Sequence, residues 1–482
     1  MKKLFFLLLF TGFILFSCKD EDDEMLTVSK DLEVQDFIWS DLNFWYFWQA
    51  DVPDLADNRF STNSQYASYL GNFPNPEDLF ENLLYVDDRF SYITDNYNEL
   101  LSSQMGISTS NGVEFGLIQP GSGVEIFGYV RYILPNSDAS GQNIERGDIF
   151  IGVNGTQLTI NNYIDLLFGD NNTYTLNMAD INNGTITGNG LEVTLTKQEY
   201  IENPVFITQT LDVGGQPVGY LMYNGFTSSF ENELNDAFAQ FQSDNITDLI
   251  IDLRYNPGGS INTSVRLASM ITGQFNGQLF AKERWNDKVQ PLLSTEQINN
   301  NFTDQLNDGT AINSLGLTRL YVLTTSSSAS ASELLINGLN PYINVIQIGG
   351  TTRGKNEGSI TLLDYIDEKG TINPNHTWGM QPLVLRLENS IGFSDYTAGL
   401  PPDTVLPEDL ENMGVLGDTN EPLLAEAIAQ ISGMAKPLSA KKTVQMPVQD
   451  EIADTKRLTP TGDNMYKDRP LQGVHKKLTG NQ

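Results

Sequence analysis

Ser330 and Lys355 are the residues of this sequence whose types and placement point most directly to chemistry. Ser330 opens a helical run within Ser328-Ala-Ser-Ala-Ser-Glu333, and the unpaired backbone N–H groups of a helix start can stabilise a developing oxyanion. A serine hydroxyl also needs a base. The chain has only two histidines, His376 and His475, and His475 lies in a polar C-terminal stretch, so a Ser-His-Asp triad could be built only through His376. A lysine can serve instead if burial lowers its pKa from about 10.4 towards neutrality, leaving a free amine to accept the serine proton. Lys355 follows Gly354 and a buried apolar run, which suits it to that role.

The elements that must position these two residues are readable from periodicity. Leu320–Thr324 and Asn344–Ile348 are short apolar, β-branched runs expected to be buried strands, and Ala329–Leu339 between them has helix formers with Leu335 and Leu339 four apart. Strand, helix, strand at these lengths make a βαβ unit, whose ligand crevice lies at the carboxyl ends of the strands. Ser330 and Lys355 both fall at that edge. Upstream, Val218–Tyr223 begins the same α/β core, and Leu249–Leu253 is a further buried strand running into Asn256-Pro-Gly-Gly259, where glycine permits close backbone approach.

In these motifs the sequence resembles the C-terminal processing peptidases, or tail-specific proteases, serine endopeptidases with a Ser-Lys dyad. Ser328-Ala-Ser-Ala-Ser-Glu333 matches the family's nucleophile motif, Thr352-Arg-Gly-Lys355 its lysine segment, and Asp252-Leu-Arg-Tyr-Asn-Pro-Gly-Gly259 a third motif whose glycine amide helps form the oxyanion hole. The resemblance, covering roughly residues 112–403, implies Ser330 as nucleophile, Lys355 as general base, and the amides of Ala331 and of Gly258 or Gly259 as the oxyanion hole. It implies an acyl-enzyme mechanism on unfolded or C-terminal protein segments, without metal or cofactor. The sequence departs from the pattern at three places: Arg353 replaces an aromatic, Asn356 a glycine, and Ser359 stands where many members have a glutamine that orients the lysine. Ser359 is thus the candidate third catalytic residue.

At its start, Met1-Lys-Lys and the apolar Leu4–Phe16 read as a signal peptide (residues 1–17), too short to span a bilayer comfortably. Leu15-Phe-Ser-Cys18 resembles a bacterial lipoprotein box, which implies lipidation of Cys18, followed by an acidic tether to residue 30. The expected location is the bacterial cell envelope, anchored to the outer membrane on its periplasmic or exterior side. With 61 acidic against 28 basic residues the formal charge is −33, which argues against nucleic acid as a partner. No Cys/His run has metal-ligand spacing and no glycine loop suits phosphate.

The expected fold is multidomain α/β. Val34, Phe37, Ile38, Leu42 and Trp45 recur at helical spacing, and a second helix starts at Asn75-Pro, giving a helical N-terminal domain over residues 31–108. From Gly112 the pattern changes to short strands with glycine turns, and Gly147-Asp-Ile-Phe-Ile-Gly-Val-Asn-Gly155 resembles a PDZ domain of the bacterial protease type, placed at 109–202. Such domains capture a peptide C-terminus as an added strand, and Val113, Phe115, Gly116 and Leu117 are the candidate residues for that contact. The peptidase core follows over 203–434, ending on a helix at Glu421–Ile431, and the polar residues 435–482 are expected to be disordered. The leading reading is an exported lipoprotein endopeptidase acting on protein or peptide substrates. The alternatives are a catalytically silent peptide-binding lipoprotein of the same fold, and a serine hydrolase that uses His376.

Overall fold

The apolar runs of the core become neighbouring strands of one sheet. In the computed structural model, which describes residues 28–367, 369–433, 451–459, 462 and 464–468, the strand order is Val205–Val213, Gln216–Tyr223, Asp248–Asp252, Arg319–Thr324, Asn344–Gly349 and Thr404–Val405. The first pair is antiparallel and the remaining pairs are parallel. Asp248–Asp252 and Arg319–Thr324 are buried along nearly their whole length, as expected for strands covered on both faces. Register fixes the site: Asp252 lies opposite Leu323 and Thr324 opposite Gly349, so the three motif loops leave the sheet side by side at one edge. Helices Glu231–Ser243, Ile261–Thr272, Ala331–Leu339 and Pro422–Ile431 cover this core, the last one residue shorter at its start than expected, because Glu421 acts as its N-cap.

A buried ion cluster ties the loop after Asp252 to the chain's later part. Arg254 pairs with Asp252 (2.8 Å), Glu421 (2.7 Å) and Glu408 (3.1 Å), all removed from solvent. Burial alone would raise the Glu408 carboxyl, yet Arg146 and Arg254 hold it down to about 2.

The N-terminal region is helical as expected, with Glu33–Trp45 and Pro76–Asn82 packed together and a buried aromatic face of Phe37, Trp39, Phe44 and Trp45. It is joined to the core: the short strand Tyr92–Thr94 pairs with Gly379–Gln381. The middle β domain is built on strands Val113–Ile118, Phe127–Ile133, Ile149–Val153, Thr173–Asn182 and Thr185–Thr196, with its own apolar centre around Phe115, Phe150 and Leu176. Strands Ile107–Ser110 and Gln198–Ile201 pair at its junction with the core.

The expectation of a disordered tail over 435–482 is corrected at Glu451–Asp454 and Met465–Tyr466, which form strands. Glu451–Asp454 pairs antiparallel with Val113–Ile118 as the edge of the β domain. Met465–Tyr466 inserts between Gly259–Ser260 and Glu357–Ser359 in a second core sheet, which continues through Leu383–Asn389, Leu279–Trp285 and Asn299–Asn301. Both are too short to show a period in sequence, and their partners lie hundreds of residues away, so tertiary pairing outweighs their polar setting. The signal segment, Cys18, most of the acidic tether and His475 lie outside the described residues.

Candidate active site

The serine run around Ser330 is a set of buried clamps. Ser328 Oγ donates to the Leu253 carbonyl (2.8 Å) and Ser332 Oγ to the Asn256 carbonyl (3.1 Å), while Ala329 N–H donates to Asn256 as well (3.1 Å). The Ser328–Ser332 turn is therefore stitched onto the Asp252–Gly259 loop of the neighbouring strand. Asn256 continues the stitching: its Nδ2 donates to the Tyr223 carbonyl (2.8 Å) and its Oδ1 accepts from Gly258 N–H (2.9 Å).

Ser330 sits at the N-terminus of helix Ala331–Leu339 with φ +64°, a left-handed conformation in a residue with a side chain. Such a conformation costs roughly 1–3 kcal/mol and persists only where the surroundings over-determine it. Its hydroxyl is buried and makes no hydrogen bond. Gly258 presses against it: a Cβ built there would lie 2.5 Å from Ser330 Cβ and 2.9 Å from both Ser330 Oγ and Ala331 N. Ala331 occupies the first helical position, where no intrahelical acceptor exists for its N–H. Gly258 N–H is taken by Asn256, and Gly259 lies against the Phe226 carbonyl, 2.4 Å from where its Cβ would be. Of the three expected oxyanion amides, that of Gly258 is thus engaged by Asn256, while that of Ala331 has no acceptor within its helix.

Lys355 is brought to the same place by Glu333, the last residue of the Ser328–Glu333 motif, which has no role in the expected chemistry. Glu333 Oε2 accepts from the backbone N–H of Ser330 (2.8 Å) and of Lys355 (2.9 Å), and Oε1 accepts from Gly354 N–H (2.7 Å) and Thr352 Oγ1 (2.5 Å). One carboxylate therefore bridges the two candidate catalytic residues through their main chains. Burial pushes its pKa up to about 7 despite these four donors. The serine-to-glutamate spacing of a capping box was the signal that could have found it. Glu333→Gln, though nearly isosteric, would replace one doubly accepting oxygen by a donor and leave two N–H or O–H groups facing an NH₂. The expected result at neutral pH is a loss of about 2–4 kcal/mol in urea unfolding, and a wild-type midpoint would show that the bridge carries no load.

The Lys355 side chain is fully buried. Its Nζ donates to Asn464 Oδ1 (3.1 Å) and lies 4.9 Å from the Phe90 ring centroid. Beside it, Arg89 Nη2 donates to the Gly354 carbonyl (2.6 Å), so the end of the N-terminal region forms one wall of the lysine pocket. Neither Phe90 nor Asn464 carried a signal in sequence, because each arrives from a distant segment. Ser359 Oγ, the expected orienting group, donates to the Met465 carbonyl (3.1 Å).

His376 stands elsewhere. Its Nε2 faces Asp364 Oδ2 (3.1 Å), its Nδ1 accepts from Trp378 N–H, and its ring packs near Phe37, none of which surrounds Ser330. Val113, Phe115 and Leu117 point into the core of the β domain, and the outer edge of their strand, at Gly116–Ile118, is covered by Glu451–Asp454. Among the described residues no group of His, Cys, Asp and Glu could hold a metal ion, and no helix is long and apolar enough to cross a membrane.

Residues 217–370, which contain all three motifs, match Peptidase family S41, and residues 33–92 match the Peptidase S41 N-terminal domain. The chain is 26% identical over 413 residues to the chloroplastic C-terminal processing peptidase of Tetradesmus obliquus, covering 80% of this chain and 82% of that one. It is 25% identical over 249 residues to a carboxyl-terminal-processing protease of a Picosynechococcus strain, of which it spans about half, 53%. A crystal structure assigned as an S41 protease from Bacteroides fragilis superposes with a TM-score of 0.65 at 26% identity, over 83% of this chain and 98% of that one. The expected fold is found, and the resemblance drawn from the three motifs is matched by sequence and structural relatives: residues 217–370 carry the peptidase S41 match, residues 33–92 the S41 N-terminal domain match, and the chain is a serine-type peptidase.

Proposed function

We propose that this chain is an exported, lipid-anchored endopeptidase that hydrolyses peptide bonds in unfolded or C-terminal protein segments with a Ser330-Lys355 dyad. The observation that carries the reading is the Glu333 bridge, which fixes the main chains of Ser330 and Lys355 to one carboxylate at the mouth of the sheet. In the first step Ser330 Oγ attacks the scissile carbonyl while neutral Lys355 Nζ takes the hydroxyl proton. The oxyanion forms against Ala331 N–H at the helix start, with the Gly258–Gly259 backbone closing the other side. Lys355 then passes the proton to the departing amine, leaving an acyl-enzyme on Ser330. Water, deprotonated by the same lysine, releases the acyl product and restores the serine. The chemistry uses no cofactor.

The middle β domain is read as a PDZ-like module whose Val113–Ile118 edge takes an extended substrate end by strand addition. Cys18 is read as the lipidated N-terminus of the mature chain at the cell envelope. A fluorophosphonate probe should label wild type at Ser330 and leave Ser330→Ala unlabelled, and mass spectrometry should find diacylglycerol on Cys18. Labelling that persists in a folded Ser330→Ala chain, or a mature N-terminus other than Cys18, would each remove one part of the reading.

A further inference from the structure

The described residues between Glu451 and Asp468 reach from the edge of the β domain to Lys355. At one end Ala453 pairs with Leu117 and Asp454 with Gly116, and Thr455 N–H donates to the Phe115 carbonyl (3.1 Å), which fills the free edge of the β domain. There the segment is held by charge. Arg131, buried on the adjacent strand Phe127–Ile133, pairs with Glu451 (2.7 Å) and Asp454 (3.3 Å) and also donates to Ser327 Oγ (2.7 Å), three residues before Ser330.

At its other end the segment lies on the candidate catalytic machinery. Asn464 Oδ1 accepts from Lys355 Nζ (3.1 Å), Met465 pairs with Gly259, and Tyr466 pairs with Ser260 and Ser359. Ser359 Oγ donates to the Met465 carbonyl, and Lys467 N–H to the Ser359 carbonyl (both 3.1 Å). The segment thus completes a sheet between the strand after the oxyanion loop and the strand after the lysine.

The arrangement leaves the two candidate catalytic groups unjoined. Lys355 Nζ is held by a side chain of the tail, and Ser330 Oγ is buried without a hydrogen bond to it. A tethered strand also competes at a high effective concentration with any substrate that needs the same edges.

We propose that the C-terminal segment is an autoinhibitory tail, which occupies the substrate's strand positions at the β-domain edge and beside the dyad and must leave both before a peptide is cut. This inference rests on the dyad reading given above. The tail is held by buried ion pairs and by main-chain pairing, so an extended chain with its own backbone donors and acceptors can replace it strand for strand.

The test uses one folded protein in two states. Leu117→Cys with Ala453→Cys, in a Cys18→Ser background, places the only two cysteines opposite each other on paired strands, so that oxidation locks the tail and reduction frees it. Cleavage of an unfolded protein and fluorophosphonate labelling at Ser330 are followed in both states, alongside a chain ending at Gly433. Oxidation should slow both readouts by about tenfold or more relative to the reduced protein, and the shortened chain should cut at least as fast as the reduced one. Equal rates in the oxidised and reduced states would overturn the proposal, as would a folded Gly433-terminated chain that cuts more slowly than the full chain. If Ser330 is unlabelled in every form, the dyad reading fails, and the tail proposal fails with it.

Discussion

Ser330→Ala and Lys355→Ala are each expected to lower kcat/KM on unfolded protein by on the order of 10⁴-fold or more, with the fold intact. The two losses should be similar in size because in the proposed dyad the residues act as one unit: without the serine no acyl-enzyme forms, and without the lysine nothing receives the serine proton. Their double variant should be no worse than either single one, since the residual rate comes from binding and the oxyanion site alone. His376→Ala is expected to retain most activity, because that ring is engaged with Asp364 and Trp378, away from Ser330. A folded Lys355→Ala chain that keeps its rate while His376→Ala loses it would replace the dyad by a triad. Ser330→Gly separates strain from chemistry in the same experiment. It should be as inactive as Ser330→Ala, but at φ +64° glycine carries no Cβ penalty. It should therefore unfold about 1 kcal/mol later than the alanine variant, the strain relieved being partly offset by glycine's greater unfolded-state entropy.

What the sequence made legible was local. The buried strands, the helix after Ser330 and the order of the three motifs follow from apolar runs and glycine placement, and parallel register then brings the motif loops to one edge without further instruction. Glu333 was within reach of the same reading, because its spacing from Ser330 is that of a helix cap. The tail was not. Glu451–Asp454 and Met465–Tyr466 are strands only because Val113–Ile118, Gly259–Ser260 and Glu357–Ser359 offer them partners, and composition reports none of that. The same holds for Phe90, which reaches Lys355 through packing of the N-terminal region on the core. Ser359 shows the limit of reading a position by analogy. It stands where an orienting side chain was expected, and in the fold its hydroxyl serves the Met465 carbonyl.

Gly258→Ala is expected to damage catalysis more than stability. At φ +112° an alanine is strained, at a cost of about 1–3 kcal/mol. That cost is shared by any glycine of similar backbone, and Gly121→Ala is the control: its φ is +70° and its Cβ would meet nothing within 4 Å. What distinguishes Gly258 is the company its Cβ would keep, 2.5 Å from Ser330 Cβ and 2.9 Å from Ser330 Oγ and Ala331 N. Backbone on both sides leaves little room to yield, since Asn256 Oδ1 holds the Gly258 N–H and Phe226 N–H holds its carbonyl (2.8 Å). The methyl would therefore displace Ser330, the proposed nucleophile, and crowd the Ala331 amide proposed to receive the oxyanion. A loss of about 10²–10³-fold in acylation rate follows, the size seen when one oxyanion donor is removed. Gly121→Ala should lose about as much stability as strain alone demands and acylate at the wild-type rate. Single-turnover acylation of the two variants, read beside their urea midpoints, decides the matter: equal acylation by Gly258→Ala and Gly121→Ala would mean that the nucleophile and its oxyanion donor do not meet at Gly258.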